Sequence, residues 1–245
     1  MNTPAPNERS GFTFVELLVV IGVIALLGGM LLPALARTRP NTQAAQCLSN
    51  MRQLGCTFQL FAGDNADGLM SAADGLSGRS YWLMGPLQGY IGKSRASLKC
   101  PADQTTSTRC VSMNSAFGWG DWLDGFFGGA TFSVFWRTYA KGSEIVSPAK
   151  TFVFADEHPG SINDGSLASA CTGNQPADPP SASKIVDWPA SYHDGAGSFC
   201  FADGRAELHK WIGFKIKAQI SFEDTASGDS WTDMHWLAEN TTVKR

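Results

Sequence analysis

The chain has 245 residues and a formal net charge of −3 at neutral pH, and 17% of its residues are charged. Basic residues do not cluster, so the sequence gives no indication of nucleic-acid binding. About 200 residues remain beyond an apolar amino-terminal segment, which is enough for one α+β domain with a hydrophobic core.

The amino-terminal region joins a short polar stretch, MNTPAPNERSG, to an apolar run from Phe12 to Ala36. As a helix this run would measure roughly 37 Å, more than the roughly 30 Å hydrocarbon core of a membrane. A secretory signal peptide is cut after its apolar stretch, whereas a cut at Gly11 would leave the stretch on the mature chain. The run therefore predicts a transmembrane helix at 12–36, preceded by the polar segment 1–11.

Glu16 is the only ionisable side chain in the apolar run, and a carboxylate at membrane depth is costly enough to need an explanation. The sequence Gly-Phe-Thr-Phe-Val-Glu at 11–16 resembles the processing site of type IV prepilins and type II secretion pseudopilins. The resemblance implies that residues 1–11 are a leader and that a prepilin peptidase cuts after Gly11 and methylates Phe12. It implies as well that the helix at 12–36 is the assembly helix. It also implies that Glu16 neutralises the terminal amine of a neighbouring subunit. An uncleaved anchor with Glu16 near the lipid headgroups is the alternative.

The helix is predicted to continue as an amphipathic segment over 37–62, and the turn-rich stretch 63–68 ends the pattern. Pro33 lies where pilin helices commonly kink, and Pro40 is expected to break the helix near the membrane surface. Apolar residues recur at spacings of three and four, at Ala44, Cys47/Leu48, Met51, Leu54/Gly55, Phe58 and Phe61/Ala62.

The globular domain is assigned to 63–245 and is predicted to contain four clear strands. Two of them flank Asp203-Gly204-Arg205, a strong hairpin signal. In the first of these two, Phe199 and Phe201 share a face that suits packing against the Phe58 and Phe61 side of the helix. The predicted fold is α+β, a long amino-terminal helix packed on a small antiparallel sheet with long loops. The strands are Thr131–Trp136, Thr151–Ala155, Ser198–Ala202 and Ala206–Trp211.

Six cysteines, an even number, are compatible with disulfides in an exported chain, although sequence alone does not give their pairing. Cys100 and Cys110 bracket a loop and are the candidate disulfide partners. Cys47 and Cys56 lie out of phase on one helix and cannot pair there. No Cys-x2-Cys pair is present, which argues against zinc, so the sequence predicts neither a metal site nor a cofactor.

Blocks between residues 47 and 210 resemble a large pseudopilin-like family that carries a processing-associated His-x9-Asp-Gly motif. The matching blocks are Cys47-Leu-Ser-Asn-Met-Arg-Gln-Leu-Gly, Asp64-Asn-Ala-Asp-Gly, Lys99-Cys-Pro-Ala-Asp, Ser112-Met-Asn, Ser147-Pro-Ala-Lys-Thr-Phe-Val-Phe-Ala-Asp-Glu, and His193, which nine residues separate from Asp203-Gly204. A structural role is favoured for this motif, with Asp203-Gly204 making the turn and His193 bonding locally. Metal binding and catalysis by His193 stay open, although no Gly-x-Ser-x-Gly nucleophile pattern is present.

Acidic loops raise the question of calcium, which takes six to eight oxygen ligands. The first acidic segment fails the EF-hand pattern because Ala66 occupies a ligand position. Ordinary turn and capping roles are therefore favoured. The candidate residues are Asp64 and Asp67, or Asp156, Glu157 and Asp164.

Aromatic residues cluster in the Gly-rich stretch 118–129 and offer rings that could stack on a glycan. The favoured interpretation is that these rings fill a small core under irregular loops. The residues are Trp119, Trp122, Phe126 and Phe127.

The sequence thus predicts a structural subunit of a type IV pilus-like or type II secretion pseudopilus filament, and not an enzyme. The expected partners are prepilin peptidase, other pilin or pseudopilin subunits and an inner-membrane assembly platform. The chain would cross the inner membrane once, with a cytoplasmic amino terminus and a periplasmic domain, before it enters the filament. An envelope-anchored binding module for polysaccharide or another secreted ligand is the alternative. A membrane-tethered hydrolase that uses His193 is a third interpretation.

Overall fold

The computed structural model describes residues 13–72, 88–91, 96–125, 132–218 and 225–245, without the side chains of 28–41 and Gln88. The chain divides into two compact units, Met1–Asn41 and Thr42–Arg245. The predicted leader, with Gly11 and Phe12, lies outside the described residues.

In the first unit, helix α1 (Phe14–Asp64) begins directly after Thr13, which acts as its amino-terminal cap. The backbone N–H and the hydroxyl of Thr13 donate to the Glu16 carboxylate at 2.8 and 2.7 Å. The Glu16 N–H donates in return to Thr13 Oγ1 at 3.3 Å. This reciprocal arrangement is a capping box, which explains why the helix starts where it does.

The bounds of α1 include Pro33 and Pro40, so the break that we expected at Pro40 does not occur. A proline removes one backbone hydrogen bond, and the turns on either side of it still form here. In the part of the chain that the structure describes, none of the helices combines the length and the apolarity that a membrane crossing requires.

In the second unit, the remaining part of α1 buries one face and exposes the other. Cys47, Met51, Leu54 and Phe58 are at most 4% exposed, as the predicted apolar stripe requires. Cys56 lies on the exposed face. The helix ends at Asp64, close to the predicted stop.

Among the described residues, the main sheet has five strands, β1 (Val111–Asn114), β2 (Phe152–Asp156), β3 (Ser166–Leu167), β5 (Ala196–Phe201) and β6 (Ala206–Lys210). Their order in the sheet is β3-β1-β2-β5-β6. Three neighbouring pairs are antiparallel, whereas β1 and β3 are parallel. The prediction of an antiparallel sheet is therefore wrong at this edge.

Smaller elements surround this sheet. Strands β4 (Lys184–Ile185) and β7 (Thr225–Ala226) form a separate antiparallel pair. Helix α5 (Trp231–Glu239) covers the sheet near the carboxyl terminus and contributes Met234 and Leu237 to the hydrophobic core. The short helices are α2 (Gln88–Ile91), α3 (Gly120–Leu123) and α4 (Lys215–Ala218).

Three of the four predicted strands are confirmed as β2, β5 and β6, with ends that differ by at most two residues. The hairpin is confirmed as well, because Phe201 N–H donates to Arg205 at 2.8 Å and Gly204 has a φ of +89°.

The predicted strand Thr131–Trp136 is wrong over its described residues, 132–136, where only Trp136 forms an isolated bridge. The Asp124 carboxylate instead accepts hydrogen bonds from the N–H groups of Val134 and Phe135, at 2.8 and 3.3 Å. The Asp124 side chain therefore accepts from backbone N–H groups that, in a strand, would donate to a neighbouring strand.

Strand β5 is buried at all six positions, and its two faces pack against different partners. Cys200 faces α1, where a Cβ added at Gly55 would lie 2.6 Å from Cys200 Sγ. Phe199 and Phe201 lie on the other face in a cluster with Trp211 and α5. The prediction that these two rings pack against Phe58 and Phe61 is therefore wrong. Because both faces are covered, the alternation of side chains could not tell which face meets the helix.

Candidate functional site

Four side chains with metal-binding chemistry meet where α1 packs on the sheet in the second unit. They are Cys47, Cys100, Asp156 and His193, and one donor atom from each lies within 4.8 Å of all the others. In sequence, 109 residues separate Cys47 from Asp156, and 93 separate Cys100 from His193. The fold, rather than local spacing, creates this cluster.

Regular structure positions two of these residues. Cys47 lies on the buried face of α1, one turn before Met51. Asp156 ends β2, and a bulge between Phe152 and Phe154 sets the register of this strand against β5. Phe154 and Asp156 then both lie on the side of the sheet that meets α1, where Phe154 packs edge-on against Phe58.

Tight turns position the other two residues. The Cys100 N–H donates to Cys110 Sγ at 2.9 Å, and the Cys110 N–H donates to the Leu98 carbonyl at 2.9 Å. These bonds close the loop between Cys100 and Cys110. His193 precedes β5 in a turn in which its carbonyl accepts from Ala196 N–H at 3.2 Å. The turn continues through Gly195, whose φ is +79°.

The donor atoms form two close pairs. Cys47 Sγ donates to Asp156 Oδ2 at 3.1 Å, and Cys100 Sγ lies 3.2 Å from His193 Nε2. Ser198 supports the first pair, because its hydroxyl donates to Asp156 Oδ2 and lies 3.2 Å from Cys47 Sγ. The two thiols and the carboxylate are at most 1% exposed, while His193 is half-buried.

The electrostatics of the cluster are strongly perturbed. Burial raises the pKa of Asp156 to about 6, and the charge of Cys100 adds to this effect. A hydrogen bond from the Cys47 thiol lowers the pKa of Cys100 to about 5, while burial works in the opposite direction. The same hydrogen bond, together with burial, raises the pKa of Cys47, because Cys47 is the proton donor. Burial and hydrogen bonding within the cluster thus shift the pKa values of all three of these groups.

This arrangement supplies two sulfur donors, one imidazole nitrogen and one carboxylate oxygen. A thiolate beside an imidazole is also the basis of cysteine nucleophiles. Cys100 is only 1% exposed, however, so a substrate could reach it only if the loop opened. The geometry is therefore better suited to holding a small ion than to attacking a substrate.

The predicted disulfide between Cys100 and Cys110 is not formed, and both residues are free thiols. Cys100 Sγ is directed towards His193 and Cys47, while Cys110 Sγ donates to Asp156 Oδ1 at 3.3 Å. Both sulfurs are thus engaged with groups other than each other.

The residues of the His-x9-Asp-Gly pattern lie at opposite ends of β5. His193 precedes the strand, whereas Asp203 follows it and accepts from the Arg205 N–H at 2.9 Å in the hairpin. A six-residue strand spans about 20 Å, so the structure does not bring His193 and Asp203 together as a catalytic pair.

The acidic residues considered for calcium are engaged in separate places. Asp67 accepts from the N–H and hydroxyl of Ser143, at 3.0 and 2.6 Å. Glu157 accepts from the Ser112 hydroxyl, and Asp164 accepts from Ser166 N–H at 2.7 Å. Asp156 belongs to the thiol cluster, whereas Glu157 and Asp164 both lie near Arg109.

Of the aromatic residues considered for glycan binding, Trp119 is 5% exposed within the hydrophobic core, and Trp122 is half-buried. Phe126 and Phe127 lie outside the described residues.

Sequence reasoning missed Cys47 and Asp156 as partners of His193, and it missed the supporting role of Ser198. The available signal was that all four cluster residues fall in the blocks that carry the family resemblance. Those blocks are far apart in the chain, and only the sheet register shows which side chains meet.

Comparison with known proteins identifies the amino-terminal class. A family model described as the prokaryotic N-terminal methylation motif matches residues 6–32. This prepilin-type motif indicates a substrate of the type IV pilin or pseudopilin kind. No curated protein and no solved structure matches the chain. The match covers Gly11, Phe12 and Glu16, and it stops before the second unit.

Proposed function

We propose that this protein is a structural subunit of a type IV pilus-like or type II secretion pseudopilus filament. The observation that carries the proposal is the match of residues 6–32 to the methylation motif. The match spans the predicted cleavage site, the residue to be methylated and Glu16. The subunit would be a substrate of the processing enzyme and a building block of the filament. Other proteins would catalyse the reactions on the chain.

The first turns of α1 support this proposal. Large apolar side chains from Phe14 to Leu27 lie on the helix surface, with Phe14 and Val15 more than 60% exposed. Such a surface needs a covering of lipid or of other protein chains. In a membrane-inserted precursor lipid would cover it, and in the filament the helices of neighbouring subunits would replace the lipid.

Glu16 provides the specificity of assembly in this scheme. In the structure its carboxylate accepts two hydrogen bonds from Thr13 within the capping box. Cleavage after Gly11 would create a cationic amine on Phe12 at the start of the helix. In an apolar environment a neighbouring subunit that brings this amine to Glu16 would be strongly favoured. Only a packing register that pairs the two charges avoids a buried unpaired carboxylate.

The proposed partners are prepilin peptidase, an inner-membrane assembly platform and other pilin-like subunits. The subunit would lie in the inner membrane with its amino terminus in the cytoplasm and its globular unit in the periplasm. The envelope-anchored lectin alternative has less support, because Trp119 fills the core rather than offering a stacking surface.

Mass spectrometry of the mature amino terminus tests the processing step. We expect the first residue to be N-methylated Phe12, and an intact Met1 in the assembled protein would overturn the proposal. A Glu16→Leu variant tests assembly, because it should insert in the membrane but fail to enter filaments. Val19→Leu is the matched control, since it changes a nearby exposed position without altering charge. Filament growth by Glu16→Leu equal to that of the control would refute the role of Glu16.

A further inference from the structure

We propose that Cys47, Cys100, Asp156 and His193 form a structural binding site for a zinc-class divalent cation. The ion would link α1, the loop before β1, the end of β2 and the turn before β5. The inference concerns the second unit alone and does not depend on filament assembly.

The donor set is the first argument. Thiolate sulfur, imidazole nitrogen and carboxylate oxygen are the ligands that Zn²⁺ takes in proteins, and four ligands complete the tetrahedron of a structural site. Two cysteines in such a set select zinc over calcium and magnesium, which prefer oxygen ligands. The cluster in this chain supplies four donors, one from each residue.

The spacing of the donors is the second argument. Zinc–ligand bonds of about 2.0–2.3 Å in a tetrahedron place the ligand atoms roughly 3.3–3.8 Å apart. The four donor atoms already lie within 4.8 Å of one another. Cys47 Sγ and Asp156 Oδ2 are 3.1 Å apart, and Cys100 Sγ and His193 Nε2 are 3.2 Å apart. These two pairs would open by a few tenths of an ångström, and donor atoms as far apart as 4.8 Å would close by about 1 Å, to accommodate the ion.

The charge of the site is the third argument. Asp156 is fully buried, and its hydrogen-bond donors are the Ser198 hydroxyl and the thiols of Cys47 and Cys110. None of these three donors carries a positive charge, and the half-buried His193 imidazole is the base of the cluster. A single imidazolium cannot balance a buried carboxylate and two thiolates. A divalent ion would supply the positive charge, and it would also stabilise the two cysteines as thiolates.

The surroundings of Asp156 have the form of an outer ligand shell. Ser198 holds Oδ2 and Cys110 holds Oδ1, so the carboxylate is oriented before any ion arrives. Cys110 Sγ itself accepts from the Cys100 N–H, which directs it away from the ligand role. His193 is half-buried, and its side of the cluster offers the entry path.

A disulfide between Cys47 and Cys100 is the competing explanation. It would account for two sulfur atoms but not for the burial of Asp156 or for the approach of His193 to Cys100. In the structure both cysteines are free thiols. The metal accounts for all four side chains, and we therefore favour it.

Metal analysis of the full-length protein tests the proposal. The protein is purified in detergent without chelator or affinity histidines, and zinc is measured by inductively coupled plasma mass spectrometry. We expect about one zinc ion per chain. Cys47→Ser and Cys100→Ser should each lower the affinity at least about tenfold, and Ser198→Ala should lower it by about 10–100-fold. Cys56→Ser is the matched control, because Cys56 is exposed on the opposite face of the same helix.

Two measurements on the wild-type chain keep the test independent of how the variants fold. Replacement of zinc by Co²⁺ should give the intense visible bands of a tetrahedral site with sulfur-to-cobalt charge transfer. Alkylation under denaturing, non-reducing conditions with chelator should modify all six cysteines. Metal-free protein with a Cys47–Cys100 disulfide would overturn the proposal, as would full zinc occupancy in Cys47→Ser. The mass of the mature amino terminus is a separate measurement, so the filament proposal succeeds or fails on its own.

Discussion

The contact between α1 and β5 makes a sharp prediction at Gly55. A Cβ placed there would lie 2.6 Å from Cys200 Sγ, about 1 Å inside a normal carbon–sulfur contact. Overpacking of this kind costs typically about 1–3 kcal/mol, whereas Gly→Ala in a helix interior gains about 1 kcal/mol in propensity. We expect Gly55→Ala to lower the free energy of unfolding by about 1 kcal/mol.

Cys200→Ala removes the atom that the new methyl group would meet. In that background we expect Gly55→Ala to change sign and to stabilise the second unit by up to about 1 kcal/mol. Gly63→Ala is the control on the same helix, because a Cβ there has no neighbour within 4 Å. Urea unfolding of the full chain in detergent, followed by tryptophan fluorescence, measures all four variants. Stabilisation by Gly55→Ala in the wild-type background would refute the close packing of Gly55 of α1 against Cys200 of β5.

Two further predictions concern the other side of the sheet. Burial lowers the pKa of His209 to about 4, and its ring stacks on Trp236. The unfolded chain protonates His209 as the pH falls through about 6.5, whereas the folded chain does so only near pH 4. The free energy of unfolding should therefore fall between these pH values, by about 1–2 kcal/mol after allowance for the partial exposure of the ring. His209→Phe keeps a ring on Trp236, so equal slopes of stability against pH in this variant and wild type would contradict the assignment. Asn114→Ala should lower the free energy of unfolding, measured in urea, by about 2–4 kcal/mol. The reason is that the Asn114 amide donates to the buried carbonyls of Phe152 and Thr241, both at 2.8 Å. A loss below about 1 kcal/mol would mean that other donors replace the amide.

Local chemistry explains what the sequence could predict of the fold. The hairpin depends on one turn, in which Gly204 adopts a left-handed conformation beside Asp203, and a short sequence signal is enough to locate it. The buried stripe of α1 depends on helical periodicity alone. Positions such as Met51 and Leu54 could therefore be assigned to the core without any tertiary information.

Tertiary pairing explains what the sequence could not predict. The Asp124 side chain captures two backbone donors in 132–136, and that interaction is invisible in the β-propensity of the segment. The face of β5 that meets α1 could not be chosen, because the strand is buried on both sides. The absence of a Cys-x2-Cys pair argued against zinc. That rule applies to ligands on one loop, whereas Cys47, Cys100, Asp156 and His193 come from four segments.

The closeness of Cys47 and Cys100 has a consequence for the export that we propose for the second unit. An oxidising compartment favours disulfides, and the two sulfur atoms lie within 4.8 Å of each other. A bridge in the empty site needs them to approach to about 2 Å. Bound zinc would keep both as thiolates shared with the metal and thereby slow their reaction. Diamide added to chelated protein should therefore take two electrons and two protons from this pair and form one Cys47–Cys100 disulfide.

The zinc-loaded protein should retain these two thiols under the same treatment. Peptide mapping after alkylation measures the bridge, and Cys100→Ser is the control in which it cannot form. Equal rates of thiol loss with and without zinc would mean that the ion does not bind these sulfurs. A slower loss of these two thiols with zinc would mean that the ion and the disulfide compete for the same two sulfur atoms.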